Sequence, residues 1–383
     1  MNYKKSIFFF SLILLFAARA AVLYSAPKIE FNYENFSSSL IRHNIFSYNV
    51  SLGNDADTYY AAKIVLRGGR VSNSSFVRVR YAYLTLRNFG NVPVYIRFGR
   101  QNPVINNFII NKAEYGYDGI VLDVLYKFVR ADVIYLKGGE GIYEAQVGAR
   151  GIGKDINLSG VEVQGGKLIN GNYGGLHYYQ EVDRDTDYKK NYLGFFAAAN
   201  RKFGAKTSLF AYSELNYMFG GNRLSELNAY DKVKYRGLGA NVYAGYEYKD
   251  TAASAKIRLG YKSRGVLNVA SESYVVQYEP YFYSEHNSVF NDPKYGFSTN
   301  NYQKLNMLYF ETKLRYKGFG MMDKAAFINA QRNGIKIGAI DNYIELSYII
   351  MRRLELGAGF GLYLSDEYEN AVIYNTFKAV LRF

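Results

Sequence analysis

The sequence predicts an all-β protein, a transmembrane antiparallel β-barrel of about eighteen strands. Three observations support this fold: an export signal at the N-terminus, alternation of apolar and polar residues along most of the chain, and connections that are alternately short and long. The composition agrees, because 40 Tyr, 26 Phe and 36 Gly stand beside only 5 Pro. Aromatic residues favour pleated strands, and glycines favour tight turns.

Residues 1–20 have the parts of a secretory signal peptide. Lys4 and Lys5 give a positive start, a short apolar run follows, and Ala20 ends a small-x-small cleavage site. The apolar run is about half of the ~20 residues that a spanning helix needs, so a membrane anchor is the weaker alternative. We expect cleavage after Ala20, or as late as residue 26, and a single barrel over 21–383.

The composition and charge exclude several classes of protein. Without Cys there is no disulfide framework, no thiolate metal site and no lipidated cysteine. No later segment is apolar for ~20 residues, so a membrane location requires a closed sheet, in which every backbone group is paired. Loss of three basic residues with the leader lowers the net charge from +14 to +11. A basic exported protein attracts anionic lipids or solutes, and we expect no nucleic-acid partner.

Period-two alternation begins near Tyr59 and continues to the end of the chain. In 253–262, Ala, Ala, Ile, Leu and Tyr alternate with Ser, Lys, Arg, Gly and Lys, and the same pattern occurs in 308–316 and 354–364. Such alternation is typical of a barrel wall with lipid on one side and water on the other. A soluble β-sandwich or a lipocalin is the alternative that alternation alone leaves open.

The connections favour the membrane barrel. From the fourth predicted strand onward, tight turns such as 89–91 alternate with long connections such as 100–116, as periplasmic turns and outer loops do. A count of sixteen stays open, because the first three strands are weakly patterned. The eighteen predicted strands are 29–36, 41–50, 59–68, 76–88, 92–99, 117–126, 129–137, 155–163, 168–180, 191–201, 206–217, 236–249, 253–262, 304–317, 323–331, 340–350, 353–364 and 371–383.

The C-terminal strand ends on Phe383, and apolar residues occupy the alternate positions before it. This pattern is similar to the strand by which the barrel assembly machinery recognises its clients. Phe383 is therefore the predicted assembly signal, and the bacterial outer membrane is the predicted location, with its lipids as neighbours.

Two short motifs suggest a family. Residues 95–101 read YIRFGRQ, and residues 115–126 read YGYDGIVLDVLY. A strand that ends in Gly-Arg-Gln, followed by a loop and an aromatic-Asp-Gly start, resembles the alginate-export family of porin-like channels. The matching residues are Gly99, Arg100, Gln101, Asp118 and Gly119, although Asn102 and Pro103 depart from the family's pattern. The resemblance implies an eighteen-stranded barrel that passes anionic polysaccharide through a positively charged lumen. Strand parity directs Arg100 outward, where we expect an ion pair with Asp118.

Parity also predicts which charged side chains face the lumen. A ring of Arg and Lys in a narrow aqueous pore favours anions. The alternative is a lumen closed by ion pairs and loops, in a structural or adhesive barrel that does not conduct, because inward acids such as Asp132, Glu214 and Glu311 are also predicted. The predicted pore-lining basic residues are Arg78, Arg80, Arg97, Lys256, Arg258, Lys262, Lys313, Arg315 and Lys378.

Three other features of the sequence bear on its function. Gly357, Gly359 and Gly361 leave one inward stretch without side chains, which would make room for a loop or relieve curvature. The connection 263–303 is the longest, and it either caps the pore or is a surface loop. The histidines lack the partners of a catalytic triad, and there is no phosphate-binding or metal-binding motif. We therefore expect no enzyme activity, cofactor or metal, and a passive or gated channel for anionic solutes or anionic polysaccharide.

Overall fold

The computed structural model describes the chain as a series of β-strands and turns. The described residues are 28–37, 42–54, 60–71, 74–89, 92–101, 117–138, 156–167, 171–183, 188–222, 234–266, 304–332, 335–350, 353–366 and 371–382. Their strands are β1 (Lys28–Ser37), β2 (Arg42–Asn54), β3 (Tyr60–Val71), β4 (Ser74–Phe89), β5 (Val92–Gln101), β6 (Tyr117–Tyr126), β7 (Val129–Gly138), β8 (Ile156–Lys167), β9 (Asn172–Asp183), β10 (Tyr188–Phe203), β11 (Thr207–Asn222), β12 (Lys234–Lys249), β13 (Ala253–Val266), β14 (Lys304–Tyr316), β15 (Phe319–Arg332), β16 (Ile335–Ile350), β17 (Leu354–Ser365) and β18 (Val372–Arg382).

The strands form one closed antiparallel sheet. Each strand pairs with its neighbour in sequence, and β1 pairs both with β2 and with β18. The register at the seam runs from Lys28 opposite Arg382 to Ser37 opposite Ile373. Closure leaves no unpaired edge. Among the described residues no helix has the length and hydropathy to cross a membrane. The predicted all-β barrel is confirmed.

The two rims of the barrel differ in their connections. At one rim, strands are joined by tight turns such as 127–128 and 317–318, where Lys127 and Lys317 have φ angles of 53° and 51°. Positive φ angles belong to the hairpin turns that match strand twist. The opposite rim carries the connections 102–116, 139–155, 223–233 and 267–303. The short-turn rim is therefore periplasmic and the long-connection rim is extracellular.

Burial separates two faces of the sheet. On β7, Val133 and Tyr135 are 46% and 58% exposed, whereas Asp132 and Ile134 at the alternate positions are 3% and 2% exposed. The same alternation on the other strands gives an outward face of large apolar residues and an inward face rich in polar residues. Near the short-turn rim the outward face carries exposed aromatic rings, such as those of Tyr316 and Tyr348. An apolar band bordered by aromatic rings is the lipid-facing surface of a membrane barrel.

Inward glycines accommodate rings from the neighbouring strand. Gly260 lies directly opposite Tyr309, and Gly175 lies directly opposite Phe196. A Cβ atom at Gly175 would lie only 2.6 Å from Cζ of Phe196, so the bare backbone is what lets the ring lie flat on the wall. The predicted glycine stretch on β17 behaves in the same way, because Tyr343 covers Gly359. The space at Gly359 is occupied by a neighbouring side chain, whereas a Cβ at Gly357 would make only ordinary contacts at 3.5–3.6 Å.

Several predictions concern residues outside this description. The predicted leader and the terminal residue Phe383 lie outside the described residues. Strand β13 continues to Val266, so the connection predicted to begin at 263 begins four residues later. The rest of that connection is also outside the described part of the chain.

Candidate pore lining

The largest group of predicted basic residues lies on two adjacent strands. Lys256, Arg258 and Lys262 occupy alternate inward positions on β13, and Lys313 and Arg315 occupy inward positions on β14. Lys256 lies directly opposite Lys313 in the register. Directly opposed like charges destabilise a sheet, and here each lysine also has a carboxylate nearby, Glu247 opposite Lys256 and Glu311 paired with Lys313.

Two carboxylates lie among these cations. Glu247 of β12 is directly opposite Lys256, and Glu311 of β14 is directly opposite Arg258. Glu311 forms an ion pair with Arg258 and a second one with Lys313, whose Nζ lies 3.0 Å from Oε1. The guanidinium of Arg258 also lies 5.1 Å from the ring centre of Tyr243 and 5.5 Å from that of Tyr309. Cations over aromatic faces gain electrostatic attraction from the ring. These contacts fix the position of Arg258 along the wall.

Two lysines of the group rest on rings. Nζ of Lys256 lies 4.7 Å from the ring centre of Phe210, and Nζ of Lys262 lies 5.5 Å from that of Tyr309. Lys256 is exposed and has no ion pair with a described side chain. Its ammonium group lies over the face of the Phe210 ring and remains exposed to solvent.

The remaining predicted basic residues lie elsewhere in the barrel. Arg97 donates from Nε to the hydroxyl of Thr85 at 3.3 Å and stacks on Tyr83. Lys378 lies 4.0 Å from the carboxylate of Glu355. Arg78 and Arg80 belong to β4, but their side chains lie outside the description of the chain. The structure thus brings five of the predicted residues together and leaves Arg97 and Lys378 apart from them.

Acidic groups on the inward face are tied to donors. Arg130 reaches Asp123 at 2.8 Å and Asp132 at 3.2 Å. On β8 to β11, the hydroxyl of Tyr179 donates to Glu162 at 2.7 Å, and Glu214 accepts from the hydroxyl of Tyr212 at 2.9 Å and from the amide of Asn216 at 2.6 Å.

Exposure distinguishes the two signs of charge. In the ion pairs of Glu311, Glu355 and Arg130 the cation is the more exposed partner: Lys313 is 50% exposed and Glu311 7%, and Lys378 is 31% exposed and Glu355 8%. Arg130 is 32% exposed against 22% for Asp123 and 5% for Asp132. The long cationic side chains reach toward the lumen while the carboxylates stay near the backbone. The aqueous side of these pairs is therefore positive.

The family-motif residues stabilise the wall at the extracellular end of β5 and β6. Arg100 and Asp118 are directly opposed on the outward face, with Nε to Oδ1 at 2.9 Å and Nη2 to Oδ2 at 2.6 Å. This bidentate pair raises the rigidity of the strand ends. Gln101 is fully buried, and its amide donates to the carbonyls of Arg97 and Gly119 at 3.2 Å each.

The two motif glycines permit close strand contact. Gly99 has a φ of 115°, a region that L side chains rarely adopt, and any Cβ there would meet the backbone of β4. A Cβ at Gly119 would lie 2.8 Å from Cα of Leu136 on β7. The motif residues therefore have backbone contacts that explain their residue types without a solute.

Parity did not identify some inward residues. Lys324 is 1% exposed, and Tyr179, Tyr309 and Tyr343 are 0 to 1% exposed, although all four lie on the inward face. Ile134 and Leu136 are apolar residues on the same face and are equally buried. For the three tyrosines the sequence signal is an aromatic residue whose directly opposed partner is a glycine, and that relation requires the register.

Comparisons with known proteins agree with this fold. No protein-family model and no curated protein matches the sequence. Solved structures do match: OccK2 (OpdF) of Pseudomonas aeruginosa in complex with glucuronate has 12% identity and a TM-score of 0.59, over 94% of this chain and 98% of that one. A BenF-like porin from Pseudomonas fluorescens Pf-5 has 10% identity and a TM-score of 0.58, over 94% and 98%. OccAB4 of Acinetobacter baumannii has 13% identity and a TM-score of 0.57, over 94% and 99%.

The fold and the two faces define an integral β-barrel of the bacterial outer membrane with the architecture of a porin. The likeness is to porins of the Occ type, and it extends along nearly the whole chain. At these identities the likeness concerns the fold.

Proposed function

We propose that this protein is an outer-membrane channel for the diffusion of small anionic solutes. The observation that carries the proposal is the exposure difference within the ion pairs of Glu311 and Glu355, where the cations face the aqueous side and the carboxylates lie against the wall. An eighteen-stranded barrel is wide enough for an aqueous path. A confined path with an excess of exposed cations concentrates anions.

The neighbouring structures support the same chemistry. Glucuronate, the molecule named with OccK2, is a small carboxylate. Lys256, Lys313 and Arg315 would attract such a carboxylate from the lumen side of β13 and β14. No covalent chemistry enters this proposal, since passage requires only attraction and release.

An anionic polysaccharide is the alternative solute. It is suggested by the resemblance of the motif residues, Gly99 to Gly119, to the alginate-export family. The same cations would attract each uronate unit of such a chain. Because the motif residues have backbone and ion-pair contacts of their own, we place small anions first. Block of the channel by alginate oligomers at concentrations where the monomer has no effect would favour the polysaccharide.

The test is charge removal at two exposed lumen positions. Two charges about 8 Å from an ion in water each contribute about 0.5 kcal/mol before screening, as attraction for an anion and as repulsion for a cation. Lys256→Gln with Arg315→Gln is therefore expected to lower the anion-to-cation permeability ratio by about 2 kcal/mol, or up to about 30-fold at low salt. Reversal potentials in a KCl gradient measure this ratio.

The matched control removes two charges from the outward face, with Lys304→Gln and Lys336→Gln. Its reversal potential is expected to equal that of the unmodified protein. An equal shift in both double variants would mean that overall charge sets the selectivity, and the lumen proposal would fall. Absence of any conductance in the unmodified protein would favour the structural barrel instead.

A further inference from the structure

The outward face at the extracellular end of β14 to β16 has an unusual order of side chains. Its outermost row is Lys304, Gln331 and Lys336, which are directly opposed across the three strands. Both lysines are exposed. Adjacent strands lie about 4.8 Å apart, so the two lysine Cα atoms are separated by about 10 Å, with an amide between them.

The next outward row, two residues deeper, is uncharged and polar. It consists of Asn306, Asn329 and Gly338, again directly opposed. Asn306 accepts hydrogen bonds from the hydroxyls of Tyr261 at 2.7 Å and Ser263 at 2.9 Å. Asn329 is exposed.

The third row is apolar. Leu308, Phe327 and Ile340 are 47%, 58% and 43% exposed and lie within the lipid-facing band. From the rim toward the membrane centre, the three strands therefore present cations, then amides, then large apolar side chains.

An open cleft of about 530 Å³ lies beside these rows, toward β17. Its lining includes Phe327, Asn329, Gly338, Ile340, Leu364 and Asp366. The backbone N–H of Gly338 donates to the carboxylate of Asp366 at 2.9 Å, so this acid is held at the far edge of the cleft. Its other lone pairs can accept hydrogen bonds from hydroxyl groups. The cleft provides depth that a flat barrel wall lacks.

The connection between β15 and β16 is short, with only two residues, 333–334, although this rim carries the long connections elsewhere. The row lies on the outward face, so a ligand in the outer leaflet meets it from the membrane side.

We propose that this surface binds a phosphorylated glycolipid of the outer leaflet through its lipid A moiety. Lys304 and Lys336 would bind phosphate, Gln331 and Asn329 would bind the sugar and its amide linkages, and Phe327 with Leu308 would contact the acyl chains. The order of the three rows matches the order of those groups along the membrane normal. Cations at a membrane surface attract anionic head groups with about 1 kcal/mol each.

The test uses the full-length chain folded in detergent, with diphosphoryl lipid A, dephosphorylated lipid A and phosphatidylglycerol as probes. Native mass spectrometry counts the bound lipids. We expect Lys304→Gln with Lys336→Gln to weaken the binding of diphosphoryl lipid A about 30-fold. This factor corresponds to about 2 kcal/mol, because each 1.4 kcal/mol changes an affinity tenfold. Removing the phosphates from the lipid should weaken binding to the unmodified protein to a similar extent, and this arm does not depend on any variant folding.

The matched control lies on the opposite rim of the same region. Lys317→Gln with Arg353→Gln removes two exposed cations from the turns after β14 and β16, and it is expected to leave lipid A binding unchanged. Asn329→Leu is expected to weaken the binding of lipid A and to leave the binding of phosphatidylglycerol unchanged, because only the glycolipid would form hydrogen bonds with Asn329.

Three results would overturn the proposal. The first is equal affinity for dephosphorylated and diphosphoryl lipid A. The second is an equal loss of lipid A affinity in the Lys304/Lys336 and Lys317/Arg353 variants. The third is phosphatidylglycerol binding as tight as lipid A binding. The last would indicate general attraction to anionic lipid. The lipid-binding measurement is independent of channel activity, because the surface faces lipid. The conductance of the Lys304→Gln, Lys336→Gln variant should therefore be unchanged.

Discussion

Substitution of Gly260 by Ala tests how rings are packed on the inner wall. Gly260 is directly opposite Tyr309, whose side chain is 1% exposed. A Cβ atom at Gly260 would lie 2.7 Å from Cε1 of Tyr309, and it would be closer still to the phenol end of the ring. The ring must therefore move away from the wall.

The expected cost follows from this overlap. Inserting a methyl group into a packed site costs about 1–3 kcal/mol. The displaced ring also carries two cations, because Arg258 and Lys262 lie 5.5 Å from its centre. We expect the variant to lose about 1–3 kcal/mol of unfolding free energy and to conduct less than the unmodified protein, because Tyr309 moves into the lumen.

Urea unfolding followed by heat-modifiable migration on gels measures the stability. Gly165→Ala is the control, since the nearest atom to its added Cβ, the carbonyl oxygen of Phe128, would lie at 3.8 Å. That change is expected to be neutral or to stabilise by up to about 1 kcal/mol, through reduced freedom of the unfolded chain. Equal effects of the two substitutions would refute the packing of Tyr309 over Gly260. Recovery of stability by Tyr309→Ala in the Gly260→Ala background would support it.

Three further predictions follow from the charges and the C-terminus. Glu311→Gln removes the carboxylate shared by two lumen cations, so anion selectivity measured by reversal potential should rise while stability falls by about 1–3 kcal/mol; unchanged selectivity would contradict the shared pair. In the periplasmic turns, a hydrogen bond from Lys206 lowers the pKa of Asp250, so the ion pair stabilises above the ordinary carboxyl pKa and is lost as pH falls through the lowered value. Lys206→Gln should therefore raise the pKa of Asp250 in an NMR titration, and an unmoved pKa would exclude the pair. Deletion of Phe383 should slow insertion into outer-membrane vesicles, and unchanged kinetics would remove it as the assembly signal.

Much of the fold could be predicted from local patterns. The strands predicted at 117–126 and 129–137 agree with β6 (Tyr117–Tyr126) and β7 (Val129–Gly138) to within one residue, because a tight turn separates two clearly alternating segments. The strand predicted from 323 in fact begins at Phe319. Its first residues, Phe-Gly-Met-Met, do not alternate in polarity, so the hydrogen bonding of this part is not visible in the sequence.

The candidate site was predictable in part. Parity predicts inward positions for Lys256, Arg258 and Lys313, because the side-chain period of a strand is two residues. The partner of Arg258 is Glu311, which is 53 residues away in sequence, and only the register reveals that they meet. The burial of the carboxylates relative to the cations is also invisible to parity. That difference depends on side-chain length and on contacts with neighbouring strands.

The central claim is that an aqueous path lined by exposed cations crosses this barrel. The most direct measurement is the reversal potential of the unmodified full-length protein in a planar bilayer under a KCl gradient. We predict discrete conductance steps and a reversal potential whose sign shows that chloride is more permeant than potassium. The reversal potential should move toward zero as the salt concentration rises, because salt screens the lumen charges. A reversal potential on the potassium side, or a folded barrel that never conducts, would contradict the account.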